Sequence, residues 1–576
     1  MRRKSAPSRR DLLQRETGTV YKEWGGRLPI ALAFPNTYYL GMSSLAVHAL
    51  YRLLNAQSDV VCERVFWNGG GAETGPLRSL ESGRDVRDFA LLGFSISFEM
   101  DYFNLVAMLR QAGLPLWAEE RDGRHPLLIA GGPAVTANPE PLAPFFDAIA
   151  IGEGEVILPP LLDLLRDAAQ EDRPTLLAAI ARLPGLYVPA LHQPSNLLPS
   201  VLGPEDQGSL GQKTKGLLTF QPIRRQWLRN LDTQPAVTAI FCPDTEFGDR
   251  LLIEIGRGCG RGCRFCLAGY IYRPRREMSI ETVLREVARG LKYRDRVGLV
   301  SAAVSDHSQI DELAAELRRM GARLSASSMR VDPISEPLIS ALAESGTRTL
   351  TIAPEAGCER LRRFINKTQT EDDVLHAADL AAHYGFHRLK LYFMIGQPTE
   401  TEEDVAAIAG LALRVKARFR GRVIIDATPY VPKAHTPFQR VAMAPVKTVE
   451  RRLRTLRRTL EPRGVGVRAD SPAWAAVQGT LARGDRRLAC VLARLPGKPS
   501  LAGWRRALRD AGLAAEEYLR QRTPDEQLPW EVVDTGVSQD YLAWDWKRAE
   551  AGDVTPACPP SGCLKCGVCD EAWAFR

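Results

Sequence analysis

The sequence predicts an α/β protein: a doubly wound parallel sheet, then a partial (β/α)6 barrel, then a helical region ending in a cysteine-rich tail. Three observations carry this. Short apolar runs alternate with segments of helical periodicity in two separate series, one over residues 28–170 and one beginning at Leu251. At 576 residues the chain exceeds what one core can bury, so about three to four domains are expected. Composition is globular, with 45% hydrophobic and 25% charged residues, and no apolar run approaches the roughly 20 residues that span a bilayer.

In the first series, Leu28–Phe34, Val60–Phe66, Phe89–Ser95, Leu127–Ile129 and Ala148–Ile151 read as strands. Helices are expected over Ser43–Leu54, Tyr102–Ala112 and Ile157–Ala169. Glycine turns at Gly41, Gly131–Gly132 and Gly152–Gly154 fall at the carboxyl edge of that sheet, where a doubly wound fold binds its ligand. The basic start, MRRKSAPSRRDLLQRE, lacks the apolar core of a secretory signal and reads as a frayed arm. Residues 196–245 read as a connector.

The second series is more regular. Its strands are Leu251–Ile255, Val297–Ala302, Arg323–Ser327, Thr349–Ala353, Arg388–Phe393 and Arg422–Ala427. Ser335 can cap a helix that has Pro337 in its first turn, and Thr370 with Asp373 and Thr401 with Asp404 resemble capping boxes. Six βα units fall short of the eight of a closed barrel, so an open one is expected. Beyond Pro445 the pattern is helical, over Val449–Leu460, Pro472–Leu492 and residues 499–520. The net charge of +8, on 76 basic and 68 acidic side chains, permits an RNA substrate without demanding one. Dense arginine runs occur at Arg273–Arg276 and Arg451–Arg458, and the second reads as a solvated helix face before it reads as a nucleic-acid patch.

Seven of the 11 cysteines form two clusters, Cys259, Cys263 and Cys266, and Cys558, Cys563, Cys566 and Cys569. Without a secretory signal, clustered cysteines indicate metal or iron–sulfur ligands rather than disulfides. Cys62, Cys242, Cys358 and Cys490 are scattered and read as small buried side chains. The first cluster follows a strand as Gly256-Arg-Gly-Cys-Gly-Arg-Gly-Cys-Arg-Phe-Cys266. Three thiolates at C-x3-C-x2-C spacing can hold one corner of a cubane and leave its fourth iron open. Structural zinc would want a fourth nearby ligand, and none lies within the loop.

This loop, with Phe265 just before the third cysteine and a strand of a partial barrel before the first, resembles the radical S-adenosylmethionine (SAM) superfamily. The resemblance extends to Ser328-Met-Arg330, Thr351–Gly357, Asn366-Lys-Thr368, Met394–Glu400 and Pro429–Lys433. It implies a 4Fe-4S cluster on Cys259, Cys263 and Cys266 that binds SAM and cleaves it reductively to a 5′-deoxyadenosyl radical. By the same analogy Arg330 and Glu355 face the polar groups of SAM, and Ile395, Gly396 and Val431 border the adenine. The family's Gly-Gly-Glu is replaced by Ser301–Asp306, where Ser301 or Asp306 takes the role. A doubly wound domain before such a barrel resembles a cobalamin-binding domain, but Asn36-Thr-Tyr-Tyr-Leu-Gly41 stands where Asp-x-His-x-x-Gly is usual. Tyr38 replaces the cobalt-binding histidine. The domain therefore either holds cobalamin without a His ligand or only supports the barrel. Taken whole, the chain resembles a largely uncharacterised radical SAM family with this variant N-terminal domain.

The tail Cys558-Pro-Pro-Ser-Gly-Cys-Leu-Lys-Cys-Gly-Val-Cys569 has ferredoxin-like C-x2-C-x2-C spacing, and its Cys566-Gly567 also resembles a zinc knuckle. A second 4Fe-4S cluster and a zinc ion both remain open. The expected division is an arm (1–25), a cobalamin-binding-like domain (26–195), a connector (196–245), the barrel (246–445), a helical region (446–550) and a metal or cluster tail (551–576). The function expected is a cytoplasmic enzyme that modifies an RNA, a protein or a small molecule by methylation or sulfur insertion. It would draw electrons from a flavodoxin or ferredoxin and have no membrane partner. The alternative is a non-catalytic iron–sulfur electron carrier or RNA-interaction protein.

Overall fold

The computed structural model describes residues 8–67, 75–168, 171–192, 221–559 and 561–570. The expectations over residues 1–7 and 196–220, at Ala169, and over the last six residues of the tail lie outside them.

The first series folds into one sheet: β1 (Leu28–Phe34), β2 (Val60–Phe66), β3 (Leu91–Ser95), β4 (Leu127–Gly131), β5 (Ala148–Ala150) and β6 (Leu186–Tyr187). Its order is β2-β1-β3-β4-β5-β6; the first five strands are parallel and β6 returns antiparallel to β5. All seven residues of β2 are buried, as a strand covered on both faces requires. The order 2-1-3-4-5 is that of flavodoxin-like doubly wound sheets, with a ligand crevice where the order reverses, between β1 and β3.

The second series continues as β7 (Arg250–Glu254), β8 (Arg296–Val300), β9 (Arg323–Ala326), β10 (Thr349–Glu355), β11 (Arg388–Ile395) and β12 (Arg422–Pro429). All pair in parallel, and a bridge between Met329 and Ile352 links β9 to β10. A strand that was not expected, β13 (Val465–Ala469), adds to β12 in parallel. The stretch beyond Pro445 is therefore not wholly helical, and the open barrel has a seventh strand. Val465-Gly-Val-Arg-Ala469 is short and follows a strong helical pattern, which hides it from periodicity.

Alternation sets which side chains face the lumen. Along β11, Leu389, Leu391, Phe393 and Ile395 are buried in the core beneath the helices, while Arg388, Lys390, Tyr392 and Met394 are half-buried on the other face. The helices start where their caps predict. Ser335 accepts from the Leu338 N–H (3.1 Å), and Thr370/Asp373 and Thr401/Asp404 form reciprocal capping boxes.

The arm is not frayed over its described part. Ser8 caps a helix over Arg9–Gln14, and Thr17 bridges to Phe241. Glu16 then enters the core, where Arg64 donates to it (2.6 Å) and to Glu81 (2.7 Å), with all three side chains almost wholly buried. A guanidinium sealed in this way is tolerated only because two carboxylates neutralise it. Substituting Arg64→Ala leaves both acids buried without their partner and is expected to cost about 3–5 kcal/mol, read from the urea midpoint of unfolding.

Candidate active site

The loop that carries the first cysteine cluster leaves β7 and is closed by a short antiparallel pairing of Gly256–Arg257 with Arg276–Glu277. Gly258 has φ +79° and passes so near Tyr272 that a Cβ would lie 2.4 Å from its carbonyl oxygen, so no other residue fits. Cys263 is buried and Cys259 and Cys266 are half-buried. Burial pushes the Cys266 thiol up to about 12, with Cys263 and Cys259 adding their repulsion. Burial likewise raises the Cys259 thiol, so these two sulfurs favour the thiolate only beside a cation. Arg330 brings the one nearby cationic contact, its Nη1 lying 3.7 Å from Cys263 Sγ.

The loop is held from behind by Arg264, which no motif singled out, and by Asn366. Arg264, next to Cys263, is 0% exposed. Its Nε donates to Asp545 (3.0 Å), and its other nitrogens reach the carbonyls of Phe364 (2.8 Å) and Asp553 (2.8 Å). Asn366, at φ +56°, donates to the carbonyls of Gly262 (3.0 Å) and Thr555 (3.0 Å) and accepts from the Thr555 N–H (2.8 Å). The cluster loop, the turn after β10 and the C-terminal tail thus form one hydrogen-bonded unit. The nearest signal in the sequence was the Asn366-Lys-Thr368 resemblance, which did not reveal the partner.

The residues expected around SAM lie at the carboxyl ends of the barrel strands. Ser301 and Asp306 line a small cavity with Cys259, but Asp306 is already held by Arg261 through two contacts of 2.7 Å. Arg330 also pairs with Asp332 (2.9 Å). Glu355 sits at φ +66°, a strained position for a side-chain-bearing residue, and faces Lys367 (3.4 Å). Burial raises its carboxyl above the usual range despite Lys367. Ile395 is wholly buried in the barrel core, so what it offers at the strand end is main chain. Gly396 has φ +87°, and its N–H is taken by Glu400 (3.0 Å). Val431 packs near Gly479, and Phe265 packs with the cluster of Phe364, Tyr430 and Phe438. On the lumen face, Lys390 pairs with Asp426 (2.6 Å) and donates to the Tyr392 hydroxyl (3.2 Å).

Between the sheet edge and the barrel lies an apolar cavity of about 370 Å³. Its walls are β1, β3 and β4, the helices Leu45–Ala56 and Gly154–Asp167, and, from the barrel, the loop at Gly256–Gly258 and the end of β8. Gly93, Gly131, Ala46, Ala49 and Ala150 are small where larger residues would fill it. Tyr38 does not face this space as an axial ligand would; its hydroxyl donates to Glu16 (2.6 Å) inside the core. Asn36 likewise donates to Asp101 (2.7 Å).

The two units are riveted by Glu153, from the glycine turn after β5. Arg276 (2.8 Å) and Arg257 (2.7 Å) both hold it. Of the first arginine run, Arg273 and Arg276 are buried. Of the second run, Arg452 is buried against Glu400 (2.8 Å), while Arg451, Arg454, Arg457 and Arg458 are exposed. Of the scattered cysteines, Cys62 and Cys242 are buried as expected; Cys358 and Cys490 are only half-buried, and Cys358 Sγ bonds Asp404 (2.7 Å).

Burial alone would raise the Glu153 carboxyl, but Arg257 and Arg276 outweigh it and hold it at about 2. A lowered acid stabilises the fold above its unfolded value and loses that contribution as pH falls through the folded one. The stability gap between the native chain and Glu153→Gln should be widest above about pH 4.5 and close as pH approaches about 2, measured by urea unfolding across pH. Replacing Asp545→Ala leaves Arg264 unpaired and frees the cysteine loop. It should lower bound iron per chain, measured colorimetrically after anaerobic reconstitution.

Comparison with known proteins agrees with this arrangement. Residues 46–189 match the family "Radical SAM proteins, N-terminal", and residues 253–412 match "Radical SAM superfamily". An uncharacterized protein, MJ0966, of Methanocaldococcus jannaschii is 31% identical over 469 residues, covering 80% of this chain and 89% of that one. An uncharacterized methyltransferase, PH0819, of Pyrococcus horikoshii is 26% identical over 53% of this chain and 61% of its own length. Among solved structures, the radical SAM methyltransferase TsrM of Kitasatospora setae, with cobalamin and a [4Fe-4S] cluster bound, aligns at 14% identity with a TM-score of 0.47, over 73% of this chain and 80% of that one. The chain is thus an enzyme of the radical SAM class and belongs to the radical SAM superfamily, in one family with the archaeal protein MJ0966.

Proposed function

We propose that this chain is a cytoplasmic, cobalamin-assisted radical SAM methyltransferase, with Cys259, Cys263 and Cys266 as the ligands of its 4Fe-4S cluster. The observation that carries the reading is the apolar cavity between the two domains, which opens beside the cluster loop at Gly256–Gly258. The described part of 26–195 would be the cobalamin unit and 246–445, extended by β13, the barrel.

Fit to each group can be judged on the residues. Three thiols on one loop suit a cluster with one open iron, and nothing else in the loop competes for that position. A corrinoid tail suits the apolar cavity, because the small residues at Gly93, Gly131, Ala46 and Ala49 leave its floor open. No protein ligand to cobalt comes from Tyr38, which Glu16 holds in the core. When bound, the cluster and SAM supply a hydrogen-abstracting radical and cobalamin carries a methyl group.

The chain's own residues then have assignable tasks. Arg330 and Glu355 bind the charged groups of SAM, with Lys367 holding the Glu355 carboxylate in place. Ser301 offers a hydroxyl beside Cys259, whereas Asp306 acts through Arg261. The main chain at Ile395–Gly396, together with Val431, borders the adenine, and Phe265 shields the cluster from water. The substrate lies along the lumen, where Lys390, Tyr392 and Asp426 offer both donors and acceptors. That surface favours a polar substrate, a nucleoside or small metabolite among them. No helix among the described residues is long and apolar enough to cross a membrane. A flavodoxin or ferredoxin would supply the electron.

Reconstituted anaerobically with SAM and dithionite, the protein should release 5′-deoxyadenosine, and Cys263→Ala should abolish it. Deoxyadenosine formation that survives this substitution would refute the assignment, and its absence from fully loaded protein would favour a non-catalytic iron–sulfur carrier. Supplied with hydroxocobalamin, the native chain should retain corrinoid absorbance through gel filtration. Leu50→Trp, which fills the cavity, should weaken retention at least about tenfold while iron content stays at the native count.

A further inference from the structure

The four tail cysteines line one small cavity together with Arg273, Pro274 and Arg275. That cavity abuts the catalytic loop. The Cys558 N–H donates to the Gly260 carbonyl (2.7 Å), which lies between Cys259 and Cys263. Asn366 stitches Thr555, three residues before Cys558, to Gly262. From the other side, the Ser538 N–H donates to the Cys566 carbonyl (2.9 Å), fixing the cysteine turn to the helix Gln539–Glu550.

A second observation bears on what the cavity holds. Arg273 is 2% exposed and stacked on Tyr270 (4.4 Å), and its Nε donates to the Gly269 carbonyl (2.9 Å). Its Nη1 has no hydrogen-bond partner among the described residues. A buried guanidinium nitrogen left unpaired in a cavity walled by four thiols marks a site for an anion. A cubane on four thiolates carries net negative charge. Among the described residues no three Cys, His, Asp or Glu side chains converge closely enough for a single metal ion. The same guanidinium reaches the catalytic loop, since a Cβ on Gly262 would lie 3.5 Å from its Nη2.

We infer that Cys558, Cys563, Cys566 and Cys569 hold a second 4Fe-4S cluster that passes the electron to the catalytic cluster, with Arg273 between the two. This rests on the proposed catalytic cluster and adds its route of reduction. Each reductive cleavage of SAM would draw one electron from a reduced flavodoxin- or ferredoxin-type donor by way of the tail cluster. The electron then moves on to the catalytic cluster, so the donor is oxidised by one electron and the tail cluster returns to its starting state. Four thiolates leave the tail cluster no open iron on which to bind SAM. Its cavity shares only Arg275 with the one formed by Cys259, Ser301 and Asp306, so the two cysteine sites are adjacent but separate. Leu564, half exposed, and Lys565, which sits over Trp544 (3.9 Å), put the tail at the surface where a donor protein arrives.

The test uses the full chain, reconstituted anaerobically. The native protein should hold about eight iron and about eight sulfide ions and no zinc, and Cys563→Ser/Cys569→Ser about half as much of each. Reduced native protein should show two paramagnetic signals broadened by mutual coupling, and the double variant one unbroadened signal that changes when SAM is added. That SAM response reports the catalytic cluster alone, so its loss would count against the proposed function and not against the relay. The ratio of flavodoxin-driven to dithionite-driven deoxyadenosine formation should fall at least about tenfold in the double variant. Stoichiometric zinc with about four iron in the native chain would overturn the inference, as would a ratio unchanged by the substitutions. If the double variant loses all iron, the coupling in native protein decides: two reduced clusters without magnetic coupling would overturn the relay.

Discussion

The first cysteine loop owes its shape to one buried ion pair, Arg264 with Asp545, both 0% exposed. Glycines make the loop between Gly256 and Cys266 pliable, and pliability is a liability for ligands that must present sulfur at fixed positions. Arg264 removes that freedom by spending its donors on one carboxylate and on carbonyls from two other segments. Desolvating the pair is costly, and that cost is offset because all three Arg264 nitrogens and both Asp545 oxygens are hydrogen-bonded. Asn366 does for the main chain what Arg264 does for the side chains.

The same economy governs the joint between the domains. Glu153 gathers Arg257 and Arg276 where the sheet edge meets the barrel, so the rim of the joint is ionic and its centre apolar. An ionic rim fixes orientation, because carboxylate and guanidinium pair in few geometries. An apolar centre of small residues leaves volume. Together they keep two rigid bodies in register around a space that neither could enclose alone. Within the barrel the logic reverses: the walls are apolar and the lumen carries Lys390, Tyr392 and Asp426.

Much of this was legible in the residues. The strands of both series lie within a few residues of their expected places, since apolar runs bounded by glycine are reliable where a sheet is covered on both sides. The three capping sites were legible because a cap is local chemistry. The cysteine loop was legible because its spacing is the chemistry. What escaped were properties of distant pairs. Val465–Ala469 is a strand only because β12 offers it an edge, and Glu16 belongs to the core only because Arg64 waits there. Tyr38 reads as a substitution for histidine in the linear motif; in space it is a hydrogen-bond donor to Glu16, which explains the phenol without any metal. Arg273 could be read from the sequence only as part of a basic run.

The Arg264–Asp545 pair spans 281 positions of the chain. A ribosome adding roughly 5–20 residues each second exposes the cysteine loop many seconds before its anchor exists. Through that interval the barrel strands can fold while the three thiols remain loosely held and open to oxidation or to stray metal. On the proposed reading, a competent acceptor for the cluster would exist only after the carboxyl-terminal segment has closed over the loop. A chain that ended upstream of Asp545 would carry the three thiols on a loop without its anchor.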